Sequence, residues 1–89
     1  MIHKLKTKSE YFAAVRCETK TFEIRKNDRD FKTWDMLQLV EIDDKGEETG
    51  NEILAFITYV LINEEYLQPG YACLGISIQN KWHKLASIN

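Results

Sequence analysis

Cysteine is scarce in this chain, with only Cys17 and Cys73 among 89 residues. They are too few and too far apart for a disulfide framework or a CxxC zinc site, and they suit buried thiols in a reducing cytoplasm. Histidine is as rare. His3 and His83 form no pair at ligand spacing, so neither a metal nor any other cofactor is expected. Nothing places Cys17 near either histidine, and no Ser-His-Asp or Cys-His arrangement can be argued. The four glycines, Gly46, Gly50, Gly70 and Gly75, are too dispersed for a phosphate loop. The longest apolar-rich run, 53–62, is too short to span a bilayer, and no charged n-region precedes an apolar h-region. Membrane partners are therefore not expected.

What remains is an ordinary globular composition, 44% hydrophobic and 29% charged, in one domain over 1–89 with a short tail from about residue 79. The net charge of −2 hides an asymmetry. Residues 1–32 carry nine Lys or Arg against five acids, and 33–89 carry three against nine. A local basic patch is compatible with an acidic total.

The chain reads mainly as strands. Residues 2–6 alternate, with Ile2 and Leu5 as expected core contacts and His3 satisfying a backbone carbonyl. Thr7-Lys8-Ser9-Glu10 has the form of a capping box, and the stretch 11–17 supplies a short helix with Phe12 and Val15 inward. A strand over 21–25 is expected to bury Phe22 and Ile24 and turn Glu23 and Arg25 to the opposite face. Further strands are expected over 36–42, 51–62 and 71–78, with Ala72, Leu74, Ile76 and Ile78 on one face of the last. Two turns separate them, 43–50 and the Pro69-Gly70 loop. The fold class is α+β and mainly β: a small barrel of about five strands with one short helix packed at one end.

The stretch 20–34 carries the functional signal. Lys20, Glu23, Arg25, Lys26, Asn27 and Arg29 lead into Phe31 and Trp34, and a basic loop beside aromatic residues suits phosphates and stacked bases. The ordinary alternative is a solvated strand and turn in which Glu23 and Arg25 neutralise each other.

Five segments resemble the ASCH domain of the PUA-like superfamily: His3 to Lys6, Glu10 to Val15, Lys20 to Phe31, Trp34 to Leu39 and Gly70 to Ile76. The run Phe-Glu-Ile-Arg-x-Asn-Asp-Arg-x-Phe is the most specific part and points to a small subgroup from bacteria and phages. The resemblance implies a PUA-like β-barrel with a helix beside a cleft, and binding of RNA or a nucleotide-like ligand. ASCH domains usually show glycine where this chain has Glu18-Thr19 and again where it has Trp34, which implies tighter turns at the cleft rim here. Some ASCH relatives are amidohydrolases acting on acetylated cytidine through a Lys, a Thr and a Glu. Lys20 matches their Lys, Glu23 stands where their Thr would be, and their Glu comes from a later helical region without a counterpart here.

Two functions follow as expectations. The first is a non-catalytic module that binds RNA or a nucleotide in a cleft lined by Lys20, Glu23, Arg25 and Arg29, with Phe31 or Trp34 as a stacking surface. The second is a small amidohydrolase with Lys20 as its catalytic amine, which requires a second acid, such as Glu41 or Glu64, beside Lys20.

Overall fold

The computed structural model describes residues 1–80. The elements in chain order are β1 (Ile2–Lys8), α1 (Ser9–Arg16), β2 (Phe22–Lys26), β3 (Met36–Ile42), β4 (Glu48–Leu61) and β5 (Tyr71–Asn80). They form one five-stranded sheet of order β1-β3-β4-β5-β2, curled into a half-barrel, with one short helix. This is the mainly β class that the strand pattern predicts. β5 runs past the expected end at residue 78, and the rest of the expected tail, with Trp82 and His83, lies outside the described residues.

β1 and β3 are parallel, and every other pair is antiparallel. A parallel pair needs a crossover, which the segment through α1 and β2 supplies. The concave face buries Leu5, Leu37, Leu39, Ile53, Ala55, Ile57, Ala72, Leu74 and Ile76, and α1 adds Phe12 and Val15. Phe31, from the loop after β2, is buried in the same core, so it offers no free face for stacking.

Register corrects several expectations. Residues opposite each other in a ladder share a face. β1 places His3 opposite Leu37 and Leu5 opposite Leu39, so His3, Leu5 and Thr7 point inward and Ile2 is exposed. His3 does not bond a carbonyl; its Nε2 lies 2.8 Å from Asp35 Oδ2, and its ring packs edge-on to Phe31. The ladder with β3 continues to Lys8 opposite Ile42, which keeps Thr7 in the strand. There is therefore no capping box: α1 begins at Ser9 behind Lys8, without a side-chain cap.

The largest correction concerns β2. Glu23 is opposite Leu74 and Arg25 opposite Ala72, the inward residues of β5. Glu23 is accordingly buried, 3% exposed, whereas Phe22 and Ile24 are 42% and 51% exposed. A one-residue choice of parity inverts the whole strand, and here the polar pair is inside. Cys17 is also exposed rather than buried, and Cys73 is half-buried.

Helix α1 ends in a left-handed turn. Glu18 has φ of 61°, its N–H donates to Val15 O at 2.9 Å, and Thr19 N–H donates to Ala14 O at 3.0 Å. That pair of bonds is a Schellman arrangement, usually built on glycine. Trp34, before β3, also holds a positive φ of 76°. The two turns expected to tighten in the absence of glycine thus adopt left-handed geometry with larger residues.

Candidate functional site

Order β1-β3-β4-β5-β2 leaves β1 and β2 at the two sheet edges. The curl brings them together, and a cleft of about 560 Å³ opens between them beside the start of α1. Its wall is formed by Lys6, Thr7 and Lys8 of β1, Tyr11 of α1, Lys20, and Phe22, Glu23, Ile24 and Arg25 of β2.

Glu23 is the centre of this wall. Its Oε2 accepts from Lys20 Nζ at 2.6 Å, and its Oε1 accepts from Arg25 Nη2 at 3.0 Å and Nε at 3.2 Å. Arg25 can do this because residues two apart on a strand share a face. Lys20, just ahead of β2, folds back and also donates to Phe22 O at 2.7 Å. The guanidinium reaches further, with Nη2 donating to the Thr7 hydroxyl at 3.1 Å. A buried carboxylate is stable only when paired and hydrogen-bonded, and both oxygens of Glu23 meet that condition.

The balance of charge is positive. Lys6, Lys8, Lys20 and Arg25 line the cleft with Glu23, the one carboxylate in its wall among the described residues. The Lys20 ammonium also sits 4.9 Å from the Phe22 ring centre and 5.8 Å from that of Tyr11, within cation–π range of both. Both rings are partly open to solvent, Phe22 at 42% and Tyr11 at 48%. The cleft therefore combines anion contacts with two flat apolar faces.

Of the residues expected from sequence, Lys20, Glu23 and Arg25 are brought together. Arg29 lies in an adjoining groove with Arg25, where its Nη1 donates to Lys4 O at 2.6 Å. Lys26 ends β2, Asn27 N–H donates to Gly70 O at 2.8 Å, and neither lines the cleft or the groove. Trp34 is also elsewhere: its N–H donates to Ile57 O at 2.7 Å, and its ring meets Phe56 edge-on. Sequence reasoning missed Lys6, Thr7, Lys8 and Tyr11. The Lys4-Lys6-Lys8 alternation is a legible signal, but Thr7 by itself fits a cap equally well.

Neither expected second acid belongs to the cleft. Glu41 accepts from Thr49 Oγ1 at 2.8 Å and Asn51 Nδ2 at 2.9 Å. Burial raises its carboxyl, but the hydrogen bonds from Asn51, Thr49 and Ser9, with the charge of Arg16, together outweigh that and hold it below the ordinary 4.5. Glu64 is exposed in the turn after β4. Asp35, outside the cleft, is also held below its ordinary 3.8, chiefly by the hydrogen bond with His3 and further by the Lys32 N–H, against the opposing effect of burial. Among the described residues, no group of three His, Cys, Asp or Glu could hold a metal ion. No helix there is long and apolar enough to cross a membrane.

Residues 2–76 match a family described as a domain of unknown function, DUF3850. No curated protein matches the sequence.

Proposed function

For a chain that belongs to the DUF3850 family, we propose a non-catalytic binding module that takes RNA or a nucleotide-like anion in the cleft between β1 and β2. One observation carries the reading: four cations, one buried carboxylate and two exposed rings converge on a cavity of about 560 Å³. That volume is in the range of small-molecule sites. Lys6, Lys8 and Arg25 are the phosphate contacts, and Phe22 and Tyr11 offer the stacking faces in place of Phe31 and Trp34. The resemblance to the ASCH domain agrees, and we take the chain for an ASCH-like, PUA-like module of the cytoplasm.

A second reading, hydrolysis of acetylated cytidine, has one observation in its favour. Lys20, Glu23 and Thr7 belong to one hydrogen-bonded chain that runs through Arg25. The same bonds weigh against it, because both Glu23 oxygens are engaged by cations, leaving the carboxylate poorly placed to take a proton from water. Binding is therefore the first reading.

Calorimetric titration with nucleoside monophosphates tests it. Saturable binding that weakens about tenfold in Arg25→Ala is expected, the worth of one charge-assisted contact. Binding unchanged by Arg25→Ala would move the ligand to another surface. Product from acetylated cytidine that appears with the natural chain and vanishes in Lys20→Ala would establish the enzyme instead.

A further inference from the structure

The cleft does not end at Arg25. A second groove of about 370 Å³ adjoins it, lined by Lys4, Leu5, Lys6, Arg25, Arg29 and Glu48. Lys6 and Arg25 line both cavities, so the two share a cationic threshold. Resting on the nucleotide-binding reading above, we infer that the ligand is a single-stranded oligonucleotide, whose backbone crosses that threshold along β1, and not a mononucleotide.

Three observations support this. First, Lys4, Lys6 and Lys8 alternate with the buried His3, Leu5 and Thr7, so all three lie on the outer side of β1. Two-residue steps along a strand set them roughly 7 Å apart, a spacing that suits consecutive phosphates of an extended chain. Second, among the described residues β1 pairs only with β3, and its other edge lies toward the cleft. Arg29 is fastened to that edge through Lys4 O and extends the cationic row. Third, apart from Glu23, which holds Arg25 firmly, the countercharge is loose: Asp28 lies 3.9 Å from Arg29 with both side chains exposed. Among the described residues, Glu48 is the only carboxylate lining the second groove, and it holds Lys4 at 3.1 Å with both side chains about half exposed. An exposed pair of that kind is worth little and can yield to a phosphate.

A mononucleotide would occupy the first cleft and leave Lys4 and Arg29 unused. A strand uses all of them, with one base against Tyr11 and Phe22 and the flanking phosphates on the β1 lysines. The row is narrow and local in a chain whose net charge is −2, which fits a short single strand and not a long duplex.

Fluorescence anisotropy with a labelled RNA of about eight nucleotides, alongside calorimetry with cytidine monophosphate, tests the inference. The RNA should bind at least tenfold more tightly, and its log K should fall with log salt at about −0.7 per phosphate, with three or more phosphates engaged. Lys4→Ala and Arg29→Ala should each flatten that slope by about 0.7 and leave the monophosphate affinity unchanged. Equal affinities for the two ligands, with Lys4→Ala silent on both, would overturn the inference while leaving the cleft as a nucleotide site. If neither ligand binds, the underlying reading fails as well. Polyglutamate binding as tightly as the RNA would assign the row to an acidic protein and also overturn the inference.

Discussion

Arg25 Nη2 donates to the Thr7 hydroxyl at 3.1 Å, joining β2 to β1. These strands are at opposite edges of the sheet, so this one bond spans the gap that the curled ladder leaves open. Thr7→Val keeps the shape and removes the acceptor. A loss of about 1 kcal/mol is expected in urea melts, because Arg25 can still turn partly to water. An unchanged midpoint would mean that packing and the Arg29–Lys4 bond hold the edges together without it.

Glu23 separates Lys20 from Arg25, with contacts of 2.6 Å and 3.0 Å to the two. Glu23→Ala leaves the two cations facing each other and should cost about 3 kcal/mol, the low end for breaking a buried pair, since both partners keep some exposure. Glu65→Ala, on an exposed turn, serves as the reference and should stay within about 0.5 kcal/mol of the natural chain. Similar small losses in both variants would show that the Glu23 carboxylate is not structural.

Phe22, at 42% exposure, contributes more to the cleft than to the core. Phe22→Ala should lower stability by no more than about 1 kcal/mol, well short of the value for a fully buried ring. The same change should weaken RNA binding about tenfold if a base stacks there. A large stability loss with unaltered binding would reverse both assignments.

Acid should destabilise the fold through Asp35 and Glu41. Each carboxyl is held below its ordinary value, 3.8 and 4.5 respectively. The stability each contributes is complete above those ordinary values and is lost as pH falls through them toward the lowered folded-state values. Denaturant midpoints should therefore be level near neutrality and decline below about pH 4.5. Asp35→Asn should narrow its gap from the natural chain as pH falls below 3.8. A gap that stays constant down the acid limb would rule out the His3–Asp35 bond as the cause.

Much of this fold could be read from residue order. The run 36–42 was bounded as observed, and the alternation of Ala72, Leu74 and Ile76 marked the inward face of β5. Parity failed where polar and apolar residues compete for the inside. Nothing local distinguishes Phe22-x-Ile24 from Glu23-x-Arg25, and only pairing with Leu74 and Ala72 decides between them. Likewise, Thr7 fits a cap as well as a strand until β3 supplies a ladder partner. Lys20, Glu23 and Arg25 were recognisable because they are close in sequence. Lys6 and Lys8 show only as an alternation, and nothing local places them or Tyr11 at the cleft, which the curl of the sheet completes.

The placement of β2 beside β5 also sets an order of events during synthesis. β2 leaves the ribosome early, yet its only ladder partner is the last strand described. Pairing over so long a separation is slow, since the intervening chain must be ordered before the contact forms. A nascent chain that has produced β1 to β4 therefore carries the cleft residues without a cleft. Glu23 stays in water, Arg25 has no fixed Thr7 to reach, and the apolar side of the future β5 ladder stands open on β4. The cleft and the final closure of the core are thus a single late step.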